Sequence, residues 1–191
     1  MTIAEHVLQL LRATGALLEG HLLLTSGLHS NSYVQCARAL QHPQHAETLG
    51  RLIADSFRDT TVDAVMSPAI GGIIIGHEVA RALGVRALFG ERQQGTMMLR
   101  RGLELGPGER VLVVEDVTTT GGSVREIIQL VQACQGLVAG VGTILDRSGG
   151  QIDFAVPQHA LATLSIPNFP PETCPLCQQG SQAEKPGSRQ T

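Results

Sequence analysis

The chain has 191 residues, 42% of them hydrophobic, enough to bury a sizeable core in one compact unit. A formal charge of -3 lacks the clustered excess of Lys and Arg that grips nucleic acid, so small-molecule partners are favoured. No run of about 18 apolar residues is present, and Glu5 and Arg12 stand where a secretory leader would carry an apolar stretch, so a soluble cytoplasmic protein is expected.

Thr2 and Glu5 have capping-box spacing, and Ile3, Val7, Leu10 and Leu11 follow at helical intervals up to Gly15. Leu22 to Leu24 and the region of Tyr33 and Val34 read as short extended pieces separated by a polar turn, which makes residues 1–40 an N-terminal appendage. Ala46, Leu49, Leu52, Ile53 and Phe57 predict an amphipathic helix, and Val62 to Met66 a buried strand. A helix over 72–83 stops at Gly84, and Val85 to Phe89 is the next strand. Val111 to Val114 and Val138 to Leu145 are further strands, with Val124, Ile127, Ile128 and Val131 on one helix face between them. Nearly all-apolar strands alternating with helices predict an α/β core, residues 41–177, with a doubly wound, mainly parallel sheet. Ligands then belong at the carboxyl ends of the strands, after Met66, Val114 and Leu145. The tail over 178–191 is polar and predicted disordered.

The strongest chemical signal runs from Val111 to Ser123: an apolar strand, the pair Glu115 and Asp116, then Val117, Thr118, Thr119, Thr120, Gly121, Gly122 and Ser123 opening a helix. Glycines allow a ligand close to the backbone, hydroxyls donate, and a helix start offers free N–H groups to an anion. The two carboxylates suit the hydroxyls of a ribose and would repel its phosphate. Ser123 and Glu126 have the spacing of a helix cap, the bland alternative for part of this segment. Lys185 is the only lysine, so an anion clamp must use arginines or backbone amides.

The segment from Glu115 to Ser123 resembles the ribose-phosphate signature of type I phosphoribosyltransferases. The resemblance implies that Glu115 and Asp116 hold the ribose hydroxyls and that Thr118 to Ser123 wrap the 5-phosphate of 5-phosphoribosyl-1-diphosphate. Three more segments are similar to the orotate-specific members: 24–30 in a hood over the base, Ser67 to Gly72 around the diphosphate, and Leu145-Asp146-Arg147. Ala69, Ile70, Gly71 and Gly72 then cradle diphosphate, and Arg147, Thr119 and Ser26 meet orotate. Arg147 also fits without the family, since a carboxylate invites a guanidinium fork, the alternative being a surface ion pair with Asp146. The segment 91–101 is implied to be a mobile loop that closes over the neighbouring subunit's site in a homodimer. Its Arg92, Arg100 and Arg101 are the candidates for the leaving group, and Arg92, Arg100 and Asp116 the candidate catalytic residues. Magnesium is implied as cofactor, carried by the substrate diphosphate rather than by side chains. Members of the family carry lysines where this chain has Thr96 or Gly95, Thr25 and Gly71. A purine phosphoribosyltransferase and a non-enzymatic sensor of the sugar diphosphate are the alternatives.

Two features stand apart. His29 is a loop histidine, either a phosphate contact or a surface group. Cys174-Pro-Leu-Cys177 has half the spacing of a zinc site, and completion would need His159, Cys36 or a partner chain, so a tied-down turn is expected.

Overall fold

The computed structural model describes residues 1–24 and 26–186. Helix α1 (Ile3–Ala13) starts with the expected box: Thr2 Oγ1 accepts from the Glu5 amide at 3.2 Å, and the Thr2 amide donates to Glu5 at 2.7 Å. Strands β1 (Leu17–Leu23) and β2 (His29–Val34) form an antiparallel hairpin, longer than the short pieces expected. A single turn of helix, α2 (Ala37–Leu40), leads into α3 (Pro43–Ser56), where proline at the first turn sacrifices no intrahelical hydrogen bond.

The core follows as β3 (Ala64–Pro68), α4 (Gly72–Leu83), β4 (Arg86–Gln93), β5 (Thr96–Leu99), β6 (Arg110–Thr118), α5 (Gly122–Ala133), β7 (Leu137–Asp146) and β8 (Gln158–Thr163). Its six-stranded sheet has the order β5-β4-β3-β6-β7-β8. All neighbours are parallel except β4 and β5. Strand β6 shows why the apolar runs are unbroken. Leu112 and Val114 pack with Leu49, Ile53 and Ile75 on one face, while Val111 and Val113 pack with Met66, Ile127 and Val131 on the other. Both faces are covered, so no position in the strand centre is left for a polar residue.

The segment 91–101, expected to be a mobile loop, is mostly the β4–β5 hairpin, with Arg92 opposite Met97 and Gln93 opposite Thr96. Gln94 and Gly95 turn the chain at φ 52° and 84°. Met97 is buried against the core, which anchors the hairpin.

The appendage is not purely N-terminal. A two-residue strand, β9 (Asn168–Phe169), adds to β2, and a 3-10 turn (Pro171–Thr173) and short helix α6 (Pro175–Gln178) follow. The expectation of disorder from residue 178 is corrected over 178–186: the Glu184 amide donates to His21 O at 2.9 Å, and the Leu23 amide to Glu184 O at 2.8 Å. Residues 187–191, and Thr25 of the hood, lie outside the described residues. Helix α1 packs on β8 and contributes Val7 and Leu11 to the core, so only β1, β2 and the returning C-terminal segment form the hood.

Candidate active site

Strands β3, β6 and β7 run parallel, and their carboxyl ends share one edge, as the pairing of Met66 with Val113 and of Thr118 with Asp146 requires. Glu115 is buried, 7% exposed, and Asp116 is half-buried. Burial first, then the neighbouring Asp116 carboxylate, push the Glu115 carboxyl up to about 9. Asp116 turns back on its own loop, its Oδ1 accepting from the Val117 amide at 2.9 Å.

Opposite them lies the turn after β3. The peptide between Ala69 and Ile70 is cis, and the Ala69 amide donates to Gly90 O at 2.7 Å. A Cβ at Gly71 would stand 2.9 Å from Asp116 Oδ1, and one at Gly72 would stand 3.1 Å from Glu115 Oε1. The turn after β3 and the paired acids are therefore in close contact, with no room for a Cβ at Gly71 or Gly72.

Helices α4 and α5 both begin at this edge after glycine caps, Gly71 and Gly121, and neither cap is closed by a side chain. Gly121 has φ 77°, and a Cβ there would come 2.8 Å from Phe154 Cε1. Helix starts with uncapped N–H groups favour an anion, and these two lie on the same edge of the sheet. The expected cap by Ser123 and Glu126 is absent. Both instead meet Arg92, which donates to Glu126 at 2.9 and 3.1 Å and to Ser123 Oγ at 3.2 Å. Arg92 thus lies beside the site of its own chain. Arg101 makes a paired contact with Glu91 at 3.0 and 3.1 Å, and Arg100 reaches the same carboxylate at 3.5 Å. These two sit at the base of the hairpin, away from its tip.

Arg147 follows β7 directly. The ion pair with Asp146 does not form, because Asp146 accepts from the amides of Ser148 at 2.7 Å and Gly150 at 2.9 Å. The Arg147 Nε is buried and has no partner. Burial depresses the guanidinium's affinity for its proton, with Tyr33 from the hood opposing. Thr118 Oγ1, Thr143 Oγ1 and Ser67 Oγ are likewise buried and unpartnered among the described residues. Thr118 stands opposite Asp146 in the sheet and Thr143 opposite Glu115, while Ser67, one residue before the end of β3, turns its hydroxyl toward Gly76 of α4. Buried polar groups are normally paired, so the Thr118 hydroxyl and the Arg147 Nε at the carboxyl edge are the atoms with bonds left to offer a ligand. Thr119 and Thr120 are exposed on the loop, and Ser26 is exposed in the hood turn.

The fold and this edge define a phosphoribosyltransferase. The phosphoribosyl transferase domain matches residues 37–154, and the chain belongs to that family. Within it, the relatives are orotate phosphoribosyltransferases. The one from Pelotomaculum thermopropionicum is 54% identical over 185 residues, 97% of each chain, and the one from Chlorobium phaeobacteroides strain BS1 is 52% identical over 183 residues, 96% of this chain and 95% of the relative. The crystal structure of Mycobacterium tuberculosis orotate phosphoribosyltransferase in complex with 5-phospho-alpha-D-ribosyl 1-diphosphate superposes with a TM-score of 0.69 at 26% identity, covering 85% of this chain and 97% of that one.

Proposed function

We propose that the chain transfers ribose 5-phosphate from 5-phosphoribosyl-1-diphosphate to orotate, releasing diphosphate and orotidine 5-phosphate, a step of pyrimidine nucleotide synthesis. Arg147 carries the reading. A half-buried guanidinium with an unpartnered Nε, beside the sugar-phosphate loop, needs a carboxylate, and orotate has one where the purine bases do not.

The amides opening α5 and the hydroxyls of Thr118 to Ser123 hold the 5-phosphate. Glu115 and Asp116 hydrogen-bond the ribose hydroxyls, and the Asp116 carboxylate offsets the positive charge that grows on the sugar as the diphosphate leaves. The turn Ala69 to Gly72 and the start of α4 receive the diphosphate. Arg92 stays close to the start of α5 through its contact with Ser123. The attacking group is a ring nitrogen of orotate, so no protein nucleophile is needed, and the chain's contribution is placement and electrostatics. Gly71 leaves the Asp116 carboxylate uncovered by any Cβ, and that hard oxygen donor beside the turn fits magnesium travelling on the diphosphate. When bound, that ion supplies charge neutralisation on the leaving group.

A homodimer fits the exposed Ile70 and Ile74 beside the site, 86% and 45% accessible in the single chain. A cytoplasmic setting suits four free thiols, and no described helix is long and apolar enough to cross a membrane.

The test is an assay of purified protein with magnesium and the sugar diphosphate, following orotate absorbance, with adenine, guanine, hypoxanthine and uracil in parallel. Turnover of orotate alone is expected. Turnover of a purine, or binding of the sugar diphosphate without turnover of any base, would replace the reading with one of its two alternatives.

A further inference from the structure

The hood holds four side chains that the transfer reaction does not use. His21 lies on β1, His29 opens β2, and Cys174 and Cys177 bracket the first turn of α6. Cys174 comes from 153 positions beyond His21, yet the ligand atoms of all four residues lie within 4.8 Å of one another. Cys174 Sγ is 3.5 Å and Cys177 Sγ 3.6 Å from His21 Nε2. Cys177 Sγ is 3.3 Å from His29 Nδ1, and the two imidazole nitrogens are 2.8 Å apart. The residues foreseen as completing the cysteine pair are elsewhere: His159 is exposed on β8, and Cys36 is buried in the main core.

Hydrogen bonding alone does not account for this convergence. His21 Nδ1 lies 3.1 Å from the Ser181 carbonyl, which can only accept, so Nδ1 carries the proton and Nε2 a single lone pair. Three groups, both thiols and the second imidazole, crowd that one lone pair. A cation at the centre would use every lone pair at once. Zinc–sulfur and zinc–nitrogen bonds of about 2.3 and 2.1 Å give a tetrahedron with edges of roughly 3.5 Å, the spacing seen between the sulfurs and the imidazoles. The Ser181 carbonyl supplies the outer hydrogen bond that orients a ligating histidine. Two thiolates also balance a divalent charge, so the filled site is neutral where three of its four residues are buried.

We propose that His21, His29, Cys174 and Cys177 form a structural site for a tetrahedral transition metal, zinc by preference, that clasps the C-terminal segment to the hood. Thiolate and imidazole donors select zinc over magnesium, and four protein ligands leave no open position for catalysis. The clasp closes the β1–β2 hairpin on either side of its turn and pins the segment leading to Glu184 beneath it. It stands in for the apolar core that this three-stranded sheet is too small to build.

Elemental analysis of the full chain, purified without chelator or affinity metal, is expected to give one zinc per chain, released when the thiols are blocked by a mercurial. Cobalt added to the chain after zinc removal should give the intense visible bands of a tetrahedral thiolate site. Cys174→Ser should lose those bands, and His159→Asn should keep them. A chain that carries no metal and shows no tetrahedral cobalt spectrum, or whose intact mass reveals a Cys174–Cys177 disulfide after purification under argon, would overturn the site. The cobalt spectrum of the unaltered chain decides the matter even if Cys174→Ser does not fold.

Discussion

The amide of Arg147 donates to the carbonyl of Thr118 at 2.8 Å, which locks the residue after β7 to the strand end that opens the threonine-glycine loop. This bond continues the β6–β7 ladder one step beyond the pairing of Thr118 with Asp146. The position of Arg147 relative to that loop is therefore set by strand register rather than by loop conformation.

Arg147→Ala is expected to raise the KM for orotate by about 10- to 100-fold, the range set by the roughly 1.5–3 kcal/mol of a charge-assisted hydrogen bond. The KM for the sugar diphosphate should change far less. Because the buried Nε has no partner in the free chain, the variant should be at least as stable to heat as the parent. Equal effects on both KM values in steady-state kinetics would remove Arg147 from the orotate site.

Gly71→Ala probes the close contact between the turn after β3 and the acids. Gly71 has φ -57° and ψ -43°, helical values that alanine adopts freely, so the backbone is not the obstacle. The added Cβ would displace the Asp116 carboxylate and break its bond to the Val117 amide, at a cost of about 1 kcal/mol. The expected result is a loss of at least about tenfold in affinity for the sugar diphosphate with a small change in melting temperature, read by calorimetry on the same samples. Unchanged affinity would show that the ligand does not depend on where the Asp116 carboxylate stands.

Glu115 gives a pH dependence with a definite sign. Its carboxyl is pushed up to about 9 in the folded chain from an ordinary value of 4.5. Between those limits the folded chain holds a proton that the unfolded chain has released, so stability falls as pH rises through the window. Glu115→Gln keeps the shape and never ionises. The variant should melt higher than the parent by a margin that widens from about pH 5 to about pH 9, while binding of the sugar diphosphate weakens. A margin that stays flat with pH would mean that Glu115 is ionised in the free protein.

How much of this was legible in the chain differs between elements for physical reasons. Helix α4 was bounded at both ends, since Gly84 at φ 71° is the cap that stops it. Strand β6 was read as buried because both of its faces are apolar, and the acids, threonines and glycines after it are consecutive in sequence, so their chemistry needed no folding to be seen. Strand β8 was missed: Gln158-His159-Ala160-Leu161-Ala162-Thr163 has polar ends and small residues, and only pairing with β7 makes it extended. Arg92 was recognised as a candidate, but its side-chain partners within the chain were not. Its partners Ser123 and Glu126 lie 31 and 34 positions away, beyond any local pattern.

The sequence by itself determined the layered α/β core, the run of acids, threonines and glycines that ends β6 and opens α5, and the arginine after β7, because each is written in adjacent residues or a short period. Tertiary structure alone decided that Gly71 faces Asp116, that Arg147 is free of Asp146, and that two histidines near the start meet two cysteines near the end. Those relationships depend on sheet order and on the chain's return to the hood, and long-range packing carries no signature at the positions it joins.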